Sequence, residues 1–366
     1  MPRLGLRFLG GLTLNNIVHP TSRNIPPAPE LVPTLSPVKP FKDYKELVSR
    51  LKLKGMLIPN EEKAVRKLSQ IGYYRLSGYW HVCRIPILDF RKRPVLNKIT
   101  QVPEREDKFF EGTSFDDIVA LYIFDKNLRL LVLDAIERIE IHIRSIMAHE
   151  LSKIDPIAYK NEKFIAPKHL QDYEKDGQNI NNWQVWCDKN NHVIDRSRDT
   201  CINWHKKHYT EIPFWVLIET WDFGLMSNYY NILGDRSKDI ICHKIGVPNK
   251  KTLNNWLQEI NTLRNKCAHH SRLWNVRLNN PLSLAGLKNE PYFTKIGISD
   301  MHTRRRVYGV ISVLWYLVKS IGPSSTWISK LADHIDTLPT CSGIQFTSMG
   351  FPDEEGFPRE KFNLQK

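Results

Sequence analysis

No run of about 18 uncharged apolar residues occurs in the sequence, which excludes an ordinary transmembrane helix. Its six cysteines stand at 83, 187, 201, 242, 267 and 341, and no two are spaced CxxC. With no secretory signal in view, they read as reduced thiols of a cytoplasmic protein rather than as disulfide staples or a zinc ribbon. The first dozen residues are apolar in part, but Arg7 interrupts them and no clear cleavage site follows. There is no internal repeat and no alternation of strand and helix patterns, so a doubly wound α/β fold is not expected. Acid is also in short supply: 39 Asp and Glu stand against 53 Lys and Arg, a net charge of +14 over 366 residues. An excess of that size argues for a polyanionic partner, RNA or DNA, and says nothing about fold.

What is present is mostly helical periodicity. Seven prolines between Pro20 and Pro40 mark residues 1–40 as a tail, because such a segment cannot bury enough surface to offset its ordering entropy. A small helical region is expected over 41–112. Tyr44, Leu47, Val48 and Leu51 recur at helical spacing before Gly55, and Ala64, Val65, Leu68 and Ile71 do so after Asn60. The aromatic, glycine-bearing run Gly72–Trp80 follows, then an irregular stretch with room for short strands. The main domain is expected over 113–325. Ser114 and Asp117 have the spacing of a capping box. Beyond them Leu121, Phe124, Leu128, Leu131, Ala135, Ile139, Ile143 and Ile146 set an amphipathic pattern to about Leu151. Asp125, Lys126, Arg129, Glu137, Arg138, Glu140 and Arg144 take its polar positions, with Glu140 and Arg144 spaced to pair. Residues 153–212 read as a polar insertion. Helices are expected after Pro213, from about Thr252 to Ser271 and from about Met301 to Ile321. Residues 326–366 read as a C-terminal tail, extended after about Pro339.

The stretch Lys250–Arg277 carries the chemistry. It holds six Lys and Arg against one acid, Glu259. Leu253, Trp256, Leu257, Ile260, Leu263 and Cys267 form its apolar stripe. Asn265 and His269 are four apart and share a side of the helix. Arg264, five before His269, lies roughly 140° around the axis. A histidine titrates near neutrality and moves protons, an arginine clamps a phosphate, and an asparagine orients either. One histidine does not readily serve as both acid and base; two facing copies of the helix would.

Several ordered blocks make the chain resemble the Abi (abortive infection) family of AbiD/AbiF type, within the HEPN superfamily. They are Ile71–Trp80, Phe115–Ile118 with Leu121–Arg129, Ala135–Glu140, Phe223–Ser227 and Leu263–Asn275. The resemblance spans most of residues 41–320, and Arg264-Asn-Lys-Cys-Ala-His269 fits the R-x-x-x-x-H motif of HEPN proteins. It implies an all-α bundle, dimerising so that two motifs form one metal-independent endoribonuclease site in a phage-defence or toxin system. On this reading Arg264, Asn265 and His269 are catalytic, and Lys266 lies beside them on the RNA. His270 and Arg272 either touch the phosphate too or cap the helix C-terminus, and the run Arg304-Arg305-Arg306 is either an RNA-binding patch, led by Arg304 and Arg305, or a solvated face. No cofactor or metal is expected; the partners are RNA, a second copy, and an antitoxin or non-coding RNA.

Other readings stay open. The site is a non-catalytic RNA-holding module, or the chain is a protein partner within a defence system. Arg144 and His149 repeat the spacing on an apolar helix and read as structural. Cys201, His205 and His208 match no standard zinc pattern. Tyr73, Tyr74, Tyr79 and Trp80 suit a core better than a base-stacking platform.

Overall fold

The structure, a computed structural model, describes residues 38–99 and 102–364. The N-terminal apolar stretch and nearly all of the expected proline-rich tail lie outside them. From Asp43 onward the chain forms one compact unit.

Among the described residues thirteen α-helices and two small two-stranded sheets make an all-α bundle. Helix α1 (Tyr44–Leu53) opens with a full capping box between Asp43 and Glu46. Helix α2 (Glu61–Ile71) is capped by Asn60, and α3 (Tyr73–Trp80) follows after a single residue, Gly72, at φ 93°. The irregular stretch beyond holds β1 (Arg84–Pro86) and β2 (Arg105–Phe109), antiparallel, with Arg84 opposite Phe109.

Helix α4 (Phe115–Ser152) is one unbroken element of 38 residues, about 57 Å long. Ser114 caps it by accepting from the Asp116 N–H at 3.2 Å; the expected Asp117 partner makes no such bond in return. The chain wraps around α4, and α3 and the later helices over Asp235–Ile245, Lys250–Ala268, Val307–Ile321 and Trp327–Ile335 all pack on it. Of its expected apolar positions Leu121, Phe124, Leu128, Ala135, Ile139 and Ile143 are buried and Leu131 and Ile146 half-buried, and Glu140 pairs with Arg144. Asp125 and Arg129 break the pattern. Both are buried, not solvated, because they answer each other, the Tyr79 hydroxyl and the backbone of residues 271–274.

The segment 153–212, expected as a polar insertion, is ordered and partly core. It contains a hairpin of β3 (Asp172–Lys175) and β4 (Gln178–Asn181), turning through Asp176 and Gly177, both at positive φ. Helices α5 (Asn182–Arg196) and α6 (Thr200–His208) follow. Trp183 and Trp186 of α5 are stacked at 5.5 Å and buried; Trp186 also meets Trp221 and Tyr229. Its aliphatic poverty hid a core made of indoles.

The rest is helical: α7 (Phe214–Leu217), α8 (Phe223–Ile232), α9 (Asp235–Ile245), α10 (Lys250–Ala268), α11 (Pro291–Ile296), α12 (Val307–Ile321) and α13 (Trp327–Ile335). Helix α12 begins six residues later than its apolar pattern suggests, after a 3₁₀ turn at Thr303–Arg305. The expected C-terminal tail is no tail: α13 buries Trp327, Ile328, Leu331 and Ile335, and Met349, Phe351, Phe357 and Phe362 are buried beyond it. Phenylalanines spaced among glycines and prolines carry no helical period, which is why the packing was not legible. No helix among the described residues is long and apolar enough to cross a membrane.

Candidate functional site

Helix α10 is held by its stripe. Leu253, Trp256, Leu257, Ile260, Leu263 and Cys267 are all buried, and the Trp256 indole N–H donates to the Ser283 carbonyl at 2.8 Å. The helix stops in a Schellman turn. The His270 N–H donates to the Cys267 carbonyl at 3.1 Å and the Ser271 N–H to the Lys266 carbonyl at 2.8 Å. The position that usually takes glycine is occupied by His270, at φ 57°. A side chain in the left-handed region costs about 1–3 kcal/mol, and here it sets an exposed imidazole beside that of His269.

The strap after the turn is anchored from below. Asp125 accepts the Leu273 N–H at 3.0 Å and the Trp274 N–H at 2.6 Å, and the Tyr79 hydroxyl of α3 at 2.7 Å. Arg129 closes on the same carboxylate and reaches the Ser271 carbonyl at 3.3 Å. Burial pushes the Asp125 carboxyl up, against the hydroxyl, the guanidinium and the two amides, all of which favour the carboxylate. Helix α3 is laced to the strap from the side as well. Arg75 donates to the His270 carbonyl at 2.8 Å, and Arg272 donates to the Gly78 carbonyl. Tyr79 and Trp80 are therefore core and junction, Tyr73 is half-buried against Trp80, and Tyr74 is exposed.

These contacts frame an open cleft of about 1030 Å³. From α10 and its strap it is lined by Lys266, His269, His270, Arg272 and Arg277; from α3 and β2 by Arg75 and Arg105, with His81 between them; from the start of α12 by Arg306. Among its 18 lining residues six are Lys or Arg, three are His and none is acidic. None of the six cations makes an ion pair among the described residues: Arg75, Arg105, Arg272 and Arg306 are held by backbone carbonyls instead. Burial, and then the charges of Arg105, Arg84 and Arg272, keep His81 below its ordinary pKa and so neutral near physiological pH.

The residues expected to be catalytic are divided. His269 opens into the cleft; Arg264 and Asn265 do not line it. Arg264 is half-buried, donates to Asn265 Oδ1 at 3.3 Å, and lies close enough to Glu140 of α4 for its charge to favour that carboxylate. Glu140 is engaged by Arg144, which also bonds the Trp221 carbonyl, so Arg144 is structural. Of the expected RNA contacts, Lys266, His270 and Arg272 line the cleft. Arg304 is spent on the Leu282 carbonyl at 3.0 Å, and neither it nor Arg305 reaches the lining; their neighbour Arg306 does. Sequence reasoning also passed over His81, Arg105 and Arg75. The first two lie in or beside the irregular stretch, where no period indicates a shared face. Cys201 and His205 sit one turn apart on α6 at 3.7 Å, and no group of three potential metal ligands occurs among the described residues.

A scan against known families matches the Abi-like protein family over residues 66–275, from α2 through the strap. The chain belongs to the Abi-like family. The match ends at Asn275, within the strap and one residue past the Trp274 N–H that Asp125 accepts, so the family's extent covers α3, α4, α10 and most of the wall that carries the histidines. No curated protein and no solved structure matches the chain.

Proposed function

We propose that this Abi-like protein acts in abortive infection or a related toxin system as a metal-independent endoribonuclease of the HEPN type. The observation that carries the reading is the acid-free cleft into which His269 and His270 open. Six unpaired cations favour a phosphodiester backbone, and the histidines stand where they can move protons at it. His269 takes the proton from a ribose 2′-hydroxyl or returns one to the leaving oxygen. Attack by that hydroxyl leaves a cyclic phosphate and a 5′-hydroxyl end. Arg264 clamps the phosphate and Asn265 orients the groups. Since Arg264 and His269 leave the helix on different sides, the full site takes a second copy of α10, opposed in a symmetric dimer.

The test is cleavage of total RNA with EDTA present. Cutting is expected, with losses of about 10²- to 10⁴-fold in His269→Ala and comparable losses in Arg264→Ala. A second reading is favoured by one observation, the absence of Arg264 and Asn265 from the cleft lining. On it the protein holds a structured RNA without cutting it. RNA retention that falls steeply with salt, with no cleavage under any condition, selects that reading.

A further inference from the structure

We propose that Asn275, Arg277 and Arg306 form a second phosphate subsite of the cleft, distinct from the one facing His269 and His270. The sequence offers no motif for it, because its three residues come from the strap and from the start of α12. Arg306 is clamped. Its Nη1 donates to the Asn275 carbonyl at 3.1 Å. Its stem lies against Gly350, where a Cβ would come within 2.6 Å of the Arg306 Cβ. The planar fork is thus fixed before any ligand arrives, which removes much of the ordering cost of binding.

The remaining polar atoms are unspent. Arg306 Nε and Asn275 Oδ1 are both buried without a hydrogen-bond partner. Arg277 is exposed, and among the described residues it has neither an ion pair nor a side-chain hydrogen bond. Burial, and after it the charge of Arg277, lower the affinity of Arg306 for its proton. Two neighbouring guanidiniums with no carboxylate near them repel, and a bound phosphate turns that repulsion into two charge-assisted bonds. That the phosphate belongs to RNA rests on the reading above; the anion site itself does not.

The experiment uses the full chain carrying His269→Ala, to remove cutting, and two probes: a fluorescein-labelled single-stranded RNA oligonucleotide and inorganic polyphosphate. Affinity is read by anisotropy and by competition across a salt series. Arg277→Gln and Arg306→Lys are each expected to weaken binding several-fold, and Arg277→Gln to lower the salt slope by about one. Lys189→Gln, which removes an exposed charge on α5 outside the cleft, is the control for net charge. Arg277 is exposed, so its variant folds even if Arg306→Lys melts early. If RNA binds and neither cleft variant differs from the control, the subsite is overturned and the RNA reading stands. If only polyphosphate binds, and does so through Arg277 and Arg306, the subsite stands and the RNA reading falls. Binding of neither probe overturns both.

Discussion

At the scale of single residues, the site is organised by two side chains with opposite costs. Asp125 is a buried carboxylate whose bonds fasten three elements, and its removal strands Arg129 without a counter-charge. Asp125→Ala is expected to lose about 3–5 kcal/mol in denaturant unfolding; a loss below about 1 kcal/mol shows that the strap holds without it. His270 is the reverse case. Its backbone prefers glycine, so His270→Gly should leave stability unchanged or raise it by up to about 1 kcal/mol, while RNA binding weakens. A clearly destabilised His270→Gly would mean that the imidazole is there for packing and not for the ligand. A third residue reports on acidity. His334 is stacked on Phe124 at 4.6 Å, hydrogen-bonds that residue's carbonyl through Nε2, and is kept below its ordinary pKa by burial. The unfolded chain therefore binds a proton before the folded one does. Stability is full above the unfolded pKa near 6.5 and declines as pH falls through it toward the lower folded value. The drop in Tm between about pH 7.5 and about pH 5.5 should shrink in His334→Gln; an unchanged drop assigns the acid sensitivity elsewhere.

At the scale of elements, legibility followed periodicity. Helices α1, α2, α4 and α10 were readable because each buries a regular apolar stripe between recognisable caps. What escaped was packing without a period: the indoles of α5 and the phenylalanines after Pro339. The burial of Asp125 and Arg129 escaped for another reason. Polar residues at i and i+4 on a helix look solvated unless it is known what lies above them, and here the cover is a strap about 150 residues away in sequence. The cleft was half legible. Lys266, His269, His270 and Arg272 share one continuous stretch and Arg306 ends a visible run of three arginines, whereas Arg75, His81 and Arg105 are brought in by chain reversals that no local pattern announces. Helix α12 supplies a test of how rigidly one such reversal is held. At Gly309 a Cβ would stand 2.6 Å from the Thr303 carbonyl oxygen and 2.9 Å from the Arg304 Cα, both backbone atoms. Gly309→Ala should therefore cost about 1–3 kcal/mol despite alanine's better helix propensity, and should weaken RNA binding by moving Arg306. Retained or improved thermal stability would show that the turn gives way.

At the scale of the whole molecule, charge is placed rather than spread. The chain carries 39 acidic residues, yet among the described residues none reaches the lining of a cleft with six cations. The excess of +14 thus has a local address, and long-range attraction of polyanions should be steep in salt and sensitive to cleft substitutions rather than to total charge. The proposed pairing of two α10 helices makes a further prediction. Cleavage per chain should fall on dilution below the dimer's dissociation constant, and wild-type chains mixed with His269→Ala chains should follow the statistics of mixed pairs. Activity per chain that is constant over dilution would sink the paired site.

The hairpin of β3 and β4 has a practical consequence. Its tip, Asp176–Gly177, is exposed, already adopts the tight reversal that insertions tolerate, and contributes nothing to the cleft. A fluorophore or affinity tag grafted there would ride on a scaffold continuous with the core, through Trp183 and Trp186, without obstructing the groove. The chain thus comes with its own attachment port, through which traffic in the groove can be watched on the intact protein.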